Sequence, residues 1–220
     1  TYFQFIGPIA GAFLGAGFGF LAVLGANLGN LLFTIVSNFL SSGKAINAFT
    51  IFQAISLVDV LRLLPMAFAA IYFAKSKTEN KKDISTVVPI LCMLIFLANP
   101  IGFQAWYYSL FWLIPVIVKF FFSKNLFARS LGATFTAHAI GGAIWAWTVP
   151  MTVQAWTLLM PITLFERLLF AAGISISFIL FNTLLNKLET ILPENSIQVE
   201  QNYTLSNFLK NLTKLFAVKN

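Results

Sequence analysis

One cysteine and one histidine are all that 220 residues offer to thiol or imidazole chemistry. Cys92 lies in an apolar run and reads as a small buried hydrophobe, so a disulfide framework and a cysteine metal cluster are excluded. A metal site would have to draw on carboxylates, of which there are seven aspartates and glutamates in total, and would suit transition metals poorly. No cofactor is expected. The phosphate loop Gly-x-x-x-x-Gly-Lys is missing, so the chain has no such route to energy from a nucleotide. The nucleophile elbow, the His-Glu-x-x-His pair and paired cysteines are missing too. An intramembrane hydrolase needs a nucleophile with its base, or a metal with its ligands. Here only Glu166 and His138, brought together across helices, offer an acid and a base.

Charge is scarce as well. Charged residues make up 10% of the chain and hydrophobic ones 59%, with mean hydropathy +0.84. A soluble domain carries about a quarter charged residues, so the composition predicts an integral membrane protein of all-α class. The 25 phenylalanines suit a lipid-facing surface. The formal net charge of +7 points to loops meeting anionic lipid rather than to nucleic acid. The chain opens on Thr-Tyr-Phe-Gln without an initiator methionine, which leaves room for a trimmed or preceding segment. No basic stretch precedes the first apolar run, as a cleavable signal would require.

The spans follow from the apolar runs. Phe3 to Leu24 is expected as the first, with Gly7, Gly11, Gly15 and Gly19 every four residues and Ala12 and Ala16 beside them. Such a ridge admits another helix closely. Asn27 to Leu40, with Asn30 and Asn38, is too short to cross with certainty and reads equally as re-entrant. A polar turn with Lys44 follows. Phe49 to Ala74 is the next span, interrupted at Pro65, with Asp59 and Arg62 at the spacing of an intrahelical ion pair. Val87 to Ala98 and Phe103 to Phe122 form a hairpin around the turn Asn99-Pro100-Ile101-Gly102. Its second arm opens with Trp106, Tyr107, Tyr108 and Trp112, which read as an interfacial belt or as the roof of a pocket.

Arg129 to Pro150 is long enough to cross and carries His138 near its middle. Thr134, His138, Gly141/Gly142 and Trp145 share one face at helical spacing. That face is either functional, as polar residues inside membranes tend to be, or a close-packing surface with His138 bonded to a neighbouring helix. An uncharged loop with Met151 and Trp156 leads to the last span, Leu158 to Leu185. Within that span Glu166 and Arg167 point about 100° apart and are expected not to pair with each other. Pairing Arg167 with Asp59 and Glu166 with Arg62 would fasten two helices instead.

Residues 189–220 are expected to form a separate tail after a membrane domain of residues 1–188. Leu205, Phe208, Leu209, Leu212, Leu215 and Phe216 fall on one helical face there, with Lys210 and Lys214 opposite, as in an amphipathic helix on a membrane surface. The loop at 75–83, the junction at 119–129 and the tail from Lys187 are basic. The connections at 99–102 and 150–157 carry no charge. By the positive-inside rule the basic loops and the C-terminus are cytoplasmic. The glycosylation patterns at Asn202 and Asn211 would then go unused. One span before Lys44 gives six helices with both ends inside; two give seven.

Size, a six-helix layout, a cytoplasmic C-terminus and the Gly/Ala-rich first span, with Ala12-Phe-Leu-Gly-Ala16 and Pro8-x-x-Gly11-x-x-x-Gly15, together resemble the substrate-binding S component of the energy-coupling factor vitamin transporters of prokaryotes. The resemblance extends to about Leu188. It implies a multi-pass cell-membrane protein that binds a vitamin-like small molecule on the outer side and is not itself an enzyme. Ala12, Ala16, Gly11 and Gly15 would contact a transmembrane coupling subunit, with ATPases as separate chains. Trp106, Tyr107, Trp145, Trp147 and Trp156 would line the ligand site, since aromatic rings suit flat or apolar ligands. His138, Asn30 and Glu166 would supply its polar contacts. Two other readings stand beside this one. They are an intramembrane enzyme acting on a lipid or isoprenoid through Glu166 and His138, and a structural subunit whose glycine ridge is the whole function.

Overall fold

The computed structural model describes residues 5–43, 47–78, 80, 83–188 and 199–217, without side chains at 48, 212 and 214–217. Phe3, Lys44, Glu79, Lys81, Lys82, the start of the tail at 189–198, and the side chains of Leu212, Lys214, Leu215 and Phe216 lie outside the described residues.

The described chain is helical throughout, with no strand among the described residues. In order the helices are α1 (Ile6–Ser41), α2 (Ala48–Ala54), α3 (Leu57–Leu61), α4 (Leu64–Lys75), α5 (Ile84–Leu97), α6 (Pro100–Gln104), a 3-10 turn (Trp106–Trp112), α7 (Leu113–Phe121), α8 (Leu126–Thr148) and α9 (Val153–Leu188). A short 3-10 turn (Gln201–Tyr203) and α10 (Leu205–Ala217) close the chain. Three stretches are long and apolar enough to cross a membrane: Ile6–Ser41, Leu57–Lys75 and Val153–Leu188.

The glycine-rich start departs from the single ridge expected of it. Gly15 has φ 78° and ψ 176° and interrupts α1. A Cβ on Gly19 would lie 2.7 Å from Gly11 Cα, whereas residues eight apart in one helix are separated by about 12 Å. The chain therefore folds back on itself at Gly15, in a conformation open to glycine and strained for any other residue. The first arm runs alongside α4. A Cβ on Gly7 would meet Met66, and one on Gly11 would lie 2.0 Å from the Ala70 carbonyl oxygen. The second arm returns along the same helix, with Phe20 edge-on to Phe68 and Asn27 Nδ2 donating to the Leu63 carbonyl at 3.3 Å. Asn27–Leu40 is thus no separate half-helix. It continues the second arm, residues 16–41, about 39 Å long at 1.5 Å per residue.

The stretch expected as one span over 49–74 is broken twice. Ser56 caps α3 and accepts from the Asp59 N–H, and the chain breaks again at Arg62–Leu63 before Pro65 takes up the first turn of α4, where its missing N–H costs nothing. Asp59 bonds chiefly to the Ser56 hydroxyl at 2.6 Å, with Arg62 further off at 3.9 Å. Glu166 and Arg167 also differ from expectation: they pair with each other at 3.3 Å. Long side chains reach across the 100° between neighbouring positions, so the proposed cross-links to Arg62 and Asp59 are not made.

Helix α8 sits at the centre, packed against α4, α5, α7 and α9. Small residues let it take that place. Tyr72 of α4 fills the notch at Gly132 and donates to the Pro115 carbonyl at 2.7 Å, and Trp112 fills the notch at Gly142. Two cores result. One gathers Tyr72, Phe73, Ala133, Ile174 and Phe178, and the other Phe96, Tyr108, Trp112, Ala139 and Trp156.

The bundle has a basic end. There Lys119, fully buried, meets Asp83 at 2.6 Å and the Ser85 hydroxyl at 2.7 Å. Burial pushes the Asp83 carboxyl up, but hydrogen bonds from Lys119 and Ser85 and the Lys119 charge outweigh this and hold it below the usual carboxylate range. Arg129 reaches Glu200 at 3.2 Å and lies over the Phe73 ring. Lys77 also pairs with Glu200, whose backbone exchanges two hydrogen bonds with the Asn182 amide. Residues of the tail are therefore seated on the bundle here, and Phe208 of α10 packs against the first core.

Candidate ligand-binding site

At the opposite end, Asn99 terminates α5 and caps α6, because its Oδ1 accepts from the N–H groups of Ile101 and Gly102 at 2.9 and 3.1 Å. Its Nδ2 donates across to the Ala146 carbonyl near the end of α8, at 2.8 Å. One residue on, Trp147 Nε1 donates to the Ile95 carbonyl at 3.0 Å. These two bonds tie the end of α8 to the end of α5. Between them and the start of α9 lies a cavity of about 360 Å³, lined by Asn99, Ile101, residues 146–151 and Trp156. No charged residue lines it.

Trp156, 2% exposed, sits between this cavity and a deeper polar group. Its ring packs edge-on to Phe96 and Tyr108, with centroids 5.0 and 4.8 Å away. The Tyr108 hydroxyl lies 2.9 Å from His138 Nε2 and 2.9 Å from Thr163 Oγ1, joining the 3-10 turn to α8 and α9. His138 is thus bonded to a neighbouring segment, as the packing alternative for its helix requires.

The other residues singled out by sequence are scattered. Tyr107 bonds to Thr157 at 2.5 Å, one position from Trp156, and Trp106 packs against the Tyr107 ring while remaining half-exposed. Trp145 is exposed and does not line the cavity, whereas Trp147 does. Asn30 lies exposed on the second arm of α1, away from the cavity lining. Glu166 is exposed and engaged with Arg167. Among the ridge residues, Gly11 is buried within the chain, Ala12 packs against the first core, Gly15 forms the reversal and Ala16 is half-buried.

Tyr108 belongs to a cluster read as a belt or as a pocket roof, while two residues of this region carried no signal as site residues: Asn99, read as a turn, and Thr163. The inward face of α9 gives the missing clue for the last. Trp156, Thr163, Ala171, Ile174, Phe178 and Asn182 are all buried at spacings that keep one side of a helix. Among the described residues no three His, Cys, Asp or Glu side chains are grouped to hold a metal ion. What the arrangement offers is binding: ring faces, a sulfur from Met151, and a few uncharged polar groups.

Fold and site together define a helical protein with three stretches long and apolar enough to cross a membrane and an uncharged aromatic cavity at one end. Comparison with protein-family models, curated proteins and solved structures gives no match.

Proposed function

We propose that this chain is the membrane-embedded substrate-binding subunit of a transporter, of the kind the sequence resembles. It captures a small molecule at the Asn99–Trp147–Trp156 cavity for uptake driven by partner ATPases through a coupling subunit. The cavity carries the reading. It combines stacking surfaces with fixed polar groups, the usual make-up of a small-molecule site, and it lies at the end of the bundle where the connections at 99–102 and 150–157 carry no charge. Six crossings fit this layout: residues 16–41, 57–75, 84–97, 106–121, 126–148 and 153–188. With Lys75, Lys77, Lys119, Lys124, Arg129 and Lys187 at the other end, the positive-inside rule makes that end and the C-terminus cytoplasmic. The cavity then opens outward. An enzymatic reading would pair His138 with Glu166, but His138 meets Tyr108 and Glu166 meets Arg167.

Native mass spectrometry of the protein gently purified from its host's membranes tests the proposal. A co-purifying small molecule together with a coupling subunit and ATPases is the expected result. A protein carrying lipid alone, with no ATPase, would overturn it.

A further inference from the structure

The polar groups around the cavity restrict what it can hold. Trp147 N–H is committed to Ile95 and the Thr148 hydroxyl to the Ile144 carbonyl. Asn99 spends its oxygen on α6 and one N–H on Ala146, which leaves its second N–H. The indole N–H of Trp156, which lines the cavity, makes no hydrogen bond among the described residues. Both of these groups are neutral donors, and the Thr148 oxygen keeps its capacity to accept.

Nothing at the cavity compensates an ion. The nearest charged pair on α9, Glu166–Arg167, begins ten residues beyond Trp156, about 15 Å along the helix. Helix dipoles give no net preference either, because α8 presents its carbonyl end at residues 147–149 and α9 its N–H end at residues 153–155, on either side of the same connection. Burying an ion without a partner costs several kcal/mol, whereas a ring gains from stacking on indole faces. We propose, resting on the cavity reading above, that the ligand is an uncharged planar ring compound bearing a hydrogen-bond acceptor, stacked on the exposed Trp147 ring and accepting from Asn99 Nδ2 and Trp156 Nε1. A cavity of about 360 Å³ is near the low end for small-molecule sites and suits a fused two- or three-ring system.

Four probes of one shape separate the possibilities: quinoline (neutral, with an acceptor), naphthalene (neutral, without one), N-methylquinolinium (cation) and naphthalene-2-carboxylate (anion). Each is titrated at neutral pH by calorimetry into the full chain in nanodiscs, with empty nanodiscs as blank. Thr148→Trp, at an exposed position on the cavity wall, serves as the variant that fills the cavity. Quinoline is expected to bind the parent protein and lose at least about tenfold in the variant. Naphthalene should bind several-fold more weakly than quinoline, and both ions at least about 30-fold more weakly. Binding that Thr148→Trp abolishes but that an ion matches would overturn the ligand class and leave the cavity reading standing. Failure of all four probes, or binding indifferent to Thr148→Trp, would overturn the cavity reading and the ligand class with it.

Discussion

A single hydroxyl on Tyr108 serves two helices, lying 2.9 Å from His138 on α8 and 2.9 Å from Thr163 on α9. Inside an apolar bundle water is not at hand to replace a lost partner, so a polar group depends on the protein for its hydrogen bonds. Tyr108→Phe strands both neighbours at once. It is expected to lower stability by about 1–2 kcal/mol, measured by reversible unfolding in mixed micelles. Thr163→Val leaves the Tyr108–His138 bond intact and should cost less than half as much. The ring that supports Trp156 survives in Tyr108→Phe, so affinity for a cavity ligand should change less than threefold. A large loss of affinity with little loss of stability would mean that the hydroxyl contacts ligand directly.

At the scale of elements, α1 shows what a glycine pattern does and does not specify. Gly7, Gly11, Gly15 and Gly19 are equally spaced, but Gly15 makes the reversal while Gly11 is pressed against Ala70 and Gly19 against Gly11. Gly25, on the second arm, has nothing within 4 Å of where a Cβ would stand. Gly11→Ala is therefore expected to destabilise by about 1–3 kcal/mol through overpacking. Gly25→Ala should be neutral or stabilising by up to about 1 kcal/mol through helix propensity. Paired unfolding curves check the contrast, and equal effects would contradict the folded-back arrangement. Spacing alone reads as one ridge because the reversal depends on partners 36 to 59 residues away, at Leu63 to Ala70. The apolar lengths of α8 and α9, the chain break around Asn99-Pro100 and the basic runs at 75–83 and 119–129 were legible because each is local. His138 stood out by its rarity, yet its partner arrives from a segment 30 residues earlier, whose aromatic run reads equally as a membrane belt or as the roof of a pocket.

Across the whole molecule, buried charge at the basic end ties the helices together. Lys119 of α7 and Asp83, the cap of α5, are 0% and 10% exposed, so each relies on the other. Because the Asp83 carboxyl titrates below its ordinary value of about 3.9, its contribution is present above that value and is lost as pH falls through the folded-state value. The stability gap between the parent protein and Asp83→Asn should accordingly hold from neutral pH down to about pH 4 and narrow only below it. Glu200 joins more elements than any other acidic residue described here: Arg129 on α8, Lys77 after α4, and Asn182 on α9 through its backbone. Glu200→Gln keeps the shape and the Asn182 bonds but leaves Arg129, with 3% of its side chain exposed, facing a neutral amide. Breaking one side of a buried pair costs more than removing both. Glu200→Gln should therefore speed proteolysis of the segment after Leu188 several-fold and lower the midpoint of thermal unfolding. The double variant Arg129→Gln/Glu200→Gln should recover part of both losses, the coupling that a double-mutant cycle measures. Strictly additive losses would mean that the ion pair does not hold the tail, and would move that role to the Asn182 bonds and to Tyr203, whose hydroxyl donates to the Lys124 carbonyl at 2.6 Å.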